Sequence, residues 1–181
     1  KVAFIDALSR TGLTEIEVGS FVRPDVIPQL ADTAEVFSTI QRRDGVVYSA
    51  LVPNERGLEG ALAASVDKVS IFTAASESFA GHNIRASIEE SIERFVPVVA
   101  GAHQAGLPVR GYVSCVVACP YEGRIATSAV LDVCQRLLAI GVDELDLGET
   151  LGVARPEEID GLLQLIGEIR SLDEIVLHLH D

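Results

Sequence analysis

Residues 109–150 read VRGYVSCVVACPYEGRIATSAVLDVCQRLLAIGVDELDLGET, and this stretch decides the fold. It opens on an apolar run, Val109–Val116, of strand length. A segment with apolar residues at helical spacing follows at Ser128–Ile140, and a further strand at Asp143–Leu147. Strand, helix and strand joined by short links mark parallel β/α architecture, because parallel strands need a crossover and a helix supplies it.

The same alternation extends both ways. Upstream, the spacing predicts a helix end over residues 1–12, with Phe4, Ile5 and Leu8 on one side and Gly12 as its stop. It then predicts strands at Glu15–Val18, Val46–Leu51 and Lys68–Thr73, and helices at Asp32–Arg43 and Arg56–Ala64. A longer helix is expected from Ile88 to Ala105. Ser87 and Glu90 form its capping box, Gly106 ends it, and Pro97 is expected to kink it. Downstream, Pro156–Ile169 is a helix with proline in its first turn, and Glu174–His180 a sixth strand. Several strands are apolar nearly throughout, as expected when both sheet faces are covered.

Two parallel architectures fit this pattern. A doubly wound sheet places a glycine-rich nucleotide loop after its first strand, and none is present. A TIM (β/α)₈ barrel gathers polar residues at the C-terminal ends of its strands. Polar residues gather there in this chain: Glu17 to Ser20, Asn54, Ser76 and Glu77, Ser114 and Cys115, Glu149 and Thr150, His178 and His180. The barrel is therefore expected, as a single partial domain over residues 1–181. A complete barrel takes about 250 residues, and this chain has 181, so it reads as about strands two to seven of eight.

Net charge is −13, from 14 Lys and Arg against 27 Asp and Glu. The basic residues are scattered, which argues against nucleic acid as a partner. No apolar run reaches membrane-spanning length, so no membrane partner is expected. The odd count of cysteines, Cys115, Cys119 and Cys134, does not suggest a disulfide framework. Cys115 and Cys119 have zinc-ligand spacing without a second matching pair, so packing is the expected role. A reducing compartment fits: bacterial cytoplasm or an organelle matrix. His82, placed on a loop, and His103, on a helix, read as structural.

His178 and His180 stand one residue apart on a strand, so both imidazoles project to one face. At that spacing they can chelate one metal ion or serve as hydrogen-bonded polar residues. Asp181 is a candidate orienter. Glu17 shares a face with Glu15, and needs a partner if buried. Asp146 and Glu149 bring two carboxylates to one strand end, where they could take a proton or bind a hydroxyl; Glu149 and Thr150 could equally cap the following turn. Tyr112 and Ser114 share a strand face that suits a polar pocket.

Taken in order, the segments Ile16–Val22, Pro28 and Gln29, Ala74–Glu77, Asn83 and Ile84, Ser87–Ser91, Val109–Cys115, Cys119–Gly123, Leu147–Val153 and His178–Asp181 resemble 3-hydroxy-3-methylglutaryl-CoA lyases of the metal-dependent TIM-barrel superfamily. The Tyr-Val-Ser-Cys and Cys-Pro-Tyr-Glu-Gly stretches are the most specific. The resemblance implies cleavage of the acyl-CoA substrate to acetyl-CoA and acetoacetate with Mg²⁺ or Mn²⁺. It implies His178 and His180 as metal ligands, with His178 also assisting proton transfer, and Glu17 and Glu149 as catalytic carboxylates. It places Ser20, Tyr112, Ser114, Asp146 and Thr150 at the substrate. A homodimer is among the assemblies it admits. Glu149 stands where the family has aspartate and Asp146 where it has serine. The resemblance further implies an Arg-Asp pair before Lys1, and a cysteine loop and asparagine after Asp181, so the chain alone is expected to be inactive. Three other readings stand beside this one: a sibling lyase for a longer 3-substituted glutaryl-CoA, a Claisen-type synthase, and a metal-free scaffold.

Overall fold

The computed structural model describes residues 1–181. Strands alternate with helices along the whole chain. Strands β1 (Glu15–Ser20), β2 (Val47–Leu51), β3 (Lys68–Ala74), β4 (Val109–Ser114), β7 (Glu144–Glu149) and β8 (Ile175–Leu179) form one sheet in that order. A small antiparallel hairpin, β5 (Ala118–Cys119) and β6 (Gly123–Arg124), follows β4. Each new sheet strand adds beside the one before it. A doubly wound sheet reverses its order at a switch point; this sheet does not, so the alternative is excluded. Consecutive order with right-handed crossovers puts successive helices on one face, the topology of a partial β/α barrel. No helix is long and apolar enough to cross a membrane.

Packing divides the chain into two compact units of interleaved segments, Lys1–Ile71 with Pro97–Val109, and Phe72–Val96 with Arg110–Asp181. In the first, helix α1 (Val2–Leu8) buries Ile5. β1 pairs in parallel with β2, and Glu17 faces Ser49; a bulge follows between Glu17 and Gly19. β2 then pairs with β3 through Ser49 and Lys68. Lys68 reaches Glu15 in an ion pair of 2.9 Å. Helix α2 (Thr33–Thr39) is shorter than the expected Asp32–Arg43, because Ile40 is already extended. The next amides have other partners: Gln41 N–H donates to the Asp6 carboxylate at 2.8 Å and Arg43 N–H to the buried Tyr48 hydroxyl at 3.0 Å. With those donors satisfied, continuing the helix gains little. Helix α3 (Glu55–Ala63) is capped by Asn54, which accepts from Gly57 N–H at 3.0 Å.

The second unit contains a helix the periodicity did not predict, α4 (Glu77–Ile84), capped by Ser76 at 3.0 Å from Phe79 N–H. His82 therefore lies on a helix, not a loop, and its ring stacks on Tyr121 with centroids 4.2 Å apart. Helix α5 (Ile88–Gln104) runs through Pro97. Its expected capping box is present: Glu90 N–H donates to Ser87 Oγ at 3.1 Å, and Ser87 N–H to the Glu90 carboxylate at 2.8 Å. β4 pairs with β7 and β7 with β8, all parallel. Helices α6 (Thr127–Ala139) and α7 (Pro156–Ile166) complete the unit. Leu145 and Leu147 of β7 are fully buried, each stabilising the fold by about 1.5–3 kcal/mol.

Candidate active site and metal-ligand pair

The three strands of the second unit set their side chains in rows. Tyr112 stands opposite Asp146 and Asp146 opposite Val176; two residues on, Ser114 stands opposite Gly148 and Gly148 opposite His178. Strand side chains alternate faces, so these two rows share a face. On β4 the alternation is clean: Val109, Gly111 and Val113 are buried, while Arg110, Tyr112 and Ser114 are half-buried. The apolar set packs away from the site, and a Cβ on Gly111 would meet Val142 and Leu137. One row below Tyr112, Arg110 pairs with Glu144 at 2.8 Å. The polar face thus rises from an ion pair, through Tyr112 and the buried Asp146, to Ser114 and His178 at the strand ends. Sequence reasoning did not single out Arg110. Its alternation with Tyr112 and Ser114 was the available signal.

His178 and His180 lie together beyond this row, ring centroids 5.0 Å apart and steeply inclined at 63°. Both are exposed. His180 Nδ1 lies 3.0 Å from the Thr150 carbonyl oxygen. A carbonyl only accepts, so Nδ1 carries a proton; in the neutral ring Nε2 then keeps its lone pair for a ligand. Metal-binding histidines are commonly fixed this way. Asp181 was the expected orienter; the contact on His180 comes from a main-chain group instead. Two exposed imidazoles on one side of a strand end fit a divalent cation. No three His, Cys, Asp or Glu side chains of residues 1–181 converge as ligands.

The segment after β7 is held tightly. Glu149 is 1% exposed, and its carboxylate accepts from Gly152 N–H at 2.6 Å and Val153 N–H at 3.3 Å. The Thr150 hydroxyl accepts from Cys115 N–H at 2.8 Å. Gly152 has φ +65°, and a Cβ there would sit about 3.0 Å from the backbone of Asp181. Gly148, by contrast, makes no sharp turn. It is a strand residue at which a Cβ would meet ordinary contacts with the Val113 and Ser114 backbone, from 3.4 Å.

β4 ends at Ser114, two residues before the expected Val116, because Cys115 adopts a left-handed φ of 62°. Burial pushes the Cys115 and Cys134 thiols up to about 12, which suits packing. Burial also raises Cys119, but hydrogen bonds from the Ser76 hydroxyl (3.0 Å) and the Tyr121 amide (3.3 Å) outweigh it, and its pKa falls below the ordinary value.

In the first unit, Glu17 is exposed on β1. Ser20 ends that strand, 5% exposed, its hydroxyl accepting from Val22 N–H at 3.2 Å. Beside it lies a cavity of about 580 Å³ whose lining includes Phe21, Arg23, Asn54 and Arg56.

Strand-end polar rows and a histidine pair on a consecutively ordered β/α sheet place the chain among β/α barrels, a fold whose enzymes work at the C-terminal rim. The HMGL-like family model matches residues 1–181. The chain belongs to that family, and its fold is an incomplete TIM barrel. It is 45% identical over 181 residues to hydroxymethylglutaryl-CoA lyase of Pseudomonas mevalonii, covering all of this chain and 60% of that protein. It is 44% identical to the 3-hydroxy-3-isohexenylglutaryl-CoA/hydroxy-methylglutaryl-CoA lyase of Pseudomonas aeruginosa, again over the whole chain and 60% of the relative. The crystal structure of the HMG-CoA lyase from Brucella melitensis superposes with a TM-score of 0.96 at 45% identity, over 99% of this chain and 64% of that one. The chain thus spans about 60% of the length of the curated relatives it matches.

Proposed function

We propose that this chain is part of the catalytic β/α-barrel domain of a divalent-metal-dependent carbon–carbon lyase. Its substrate is 3-hydroxy-3-methylglutaryl-CoA and its products are acetyl-CoA and acetoacetate. The observation that carries the reading is His178 and His180 together at the rim, His180 in the tautomer that leaves Nε2 available. The family and the full-chain similarity to hydroxymethylglutaryl-CoA lyases support it.

Held by His178 and His180, Mg²⁺ or Mn²⁺ would supply Lewis acidity that lowers the pKa of the substrate hydroxyl and polarises the nascent ketone. The protein's own residues do the rest. Loss of the C3 hydroxyl proton to a base drives cleavage of the C2–C3 bond; the electron pair leaves on C2 as the enolate of acetyl-CoA, which is then protonated. His178 assists the proton transfer, and Glu17 is the active-site carboxylate that would orient an arginine. Ser114 and Ser20 stand at strand ends, and Tyr112 and Asp146 one row below on the same strands as Ser114 and Glu149; substrates on this fold are contacted at the strand ends. The test is turnover by the full-length protein. Acetoacetate released from the thioester with Mg²⁺ or Mn²⁺, and lost in the His178→Ala and His180→Ala variants, supports the reading; condensation of acetyl-CoA with a 2-oxoacid would replace it.

The Pseudomonas aeruginosa relative carries a second substrate in its name, and Asp146 and Glu149 depart from the family pattern on the strand that faces the substrate. A higher kcat/KM for the isohexenyl thioester than for the methyl one would favour that sibling activity.

A further inference from the structure

The carboxylate of Glu149 is spoken for. Its oxygens accept from Gly152 N–H at 2.6 Å and Val153 N–H at 3.3 Å. The side chain, 1% exposed, closes the segment 149–153 on itself. Thr150, the next residue, is tied from outside this segment, its hydroxyl accepting from Cys115 N–H at 2.8 Å. Its carbonyl then faces His180 Nδ1 at 3.0 Å. Gly152 packs so closely on the Asp181 backbone that a Cβ would intrude at about 3.0 Å. One buried carboxylate and one hydroxyl therefore fix the carbonyl that fixes the histidine tautomer.

We propose that Glu149 is a positioning residue: it braces the turn whose Thr150 carbonyl keeps His180 protonated on Nδ1 and free on Nε2 to bind the cation. This deepens the site proposed above and rests on the reading of His180 as a cation ligand. It gives the glutamate a structural reason. The side chain is long enough to reach amides three and four residues ahead. Groups that orient a ligating histidine commonly matter nearly as much as the ligand itself.

The full-length protein tests this by two measurements. The first is imidazole ¹⁵N NMR of the metal-free protein at about pH 8, where imidazoles are neutral. The second is Mn²⁺ affinity by EPR titration. The wild type is expected to show His180 as the Nδ1–H tautomer. Glu149→Ala is expected to mix the two tautomers and to weaken Mn²⁺ binding about 10–100-fold. Glu149→Asp keeps a carboxylate but one methylene shorter, and should weaken Mn²⁺ binding less than Glu149→Ala does. If Glu149→Ala does not fold, Thr150→Val cuts the other tie and should move both readouts in the same direction. An Nε2–H tautomer in the wild type overturns the proposal. So does a folded Glu149→Ala that loses turnover while keeping wild-type tautomer and Mn²⁺ affinity, the pattern of a substrate contact. A wild type that binds no Mn²⁺ would sink the metal-site reading, while the tautomer arm still decides the brace.

Discussion

At the scale of single residues, Gly152 is the sharpest test of local geometry. Its φ of +65° is the left-handed region, and a Cβ would press on the Asp181 backbone. Gly152→Ala should cost about 1–2 kcal/mol from backbone conformation alone, plus the contact, read as a lowered urea midpoint. A variant as stable as wild type would contradict this geometry. The histidine spacing was legible in the sequence, because alternation on a strand needs only residue types at i and i+2. The contact that orients His180 was not, because a main-chain carbonyl leaves no trace in composition; the side-chain candidate, Asp181, was the visible one. Glu149 was legible as a strand-end carboxylate. Which of its two readings the structure favours depended on where the amides of Gly152 and Val153 point, and sequence does not give that.

At the scale of elements, most strands and helices followed from periodicity, and the misses have local causes. Helix α4 is eight residues with Gly81 inside it, too short and interrupted for a clear period. It is held by the Ser76 cap and by Tyr121 against His82, contacts from outside its own sequence. The hairpin β5–β6 has two-residue strands, below any pattern signal. Its Glu122 accepts from Ser78 N–H at 2.6 Å, and that bond holds the carboxyl below its ordinary value of 4.5. A carboxyl with a depressed folded pKa stabilises fully above the unfolded value and loses that contribution as pH falls through the folded one. Docking of this hairpin on α4 should therefore weaken only below about pH 4.5. Hydrogen exchange at Ser78 should show it, and Glu122→Gln should flatten the dependence. An unchanged profile in the variant would reject the contact as its source. On β7, Leu147 is fully buried; Leu147→Ala should cost about 2–5 kcal/mol by denaturant unfolding. A cost below about 1 kcal/mol would mean the site is not packed as described.

At the scale of the whole molecule, the strand order β1-β2-β3-β4-β7-β8 does what composition could not: it separates a barrel from a doubly wound sheet. Lys68 is one feature no motif pointed to. It is 6% exposed and tied to Glu15 at 2.9 Å. Lys68→Met should destabilise the protein by about 1–3 kcal/mol through the carboxylate it strands, as measured by the shift in unfolding midpoint; a midpoint at or above that of wild type would show the pair to be dispensable. The central claim is that the rim carrying His178 and His180 cleaves a 3-hydroxyacyl thioester with a bound divalent cation. It is tested most directly by incubating the full-length protein with 3-hydroxy-3-methylglutaryl-CoA and following acetoacetate before chelation, after chelation and after adding back Mg²⁺ or Mn²⁺. The account predicts equimolar acetoacetate and acetyl-CoA, lost on chelation and restored by the metal. A folded, cation-loaded protein that releases no acetoacetate, or one that turns over equally well in chelator, would contradict it.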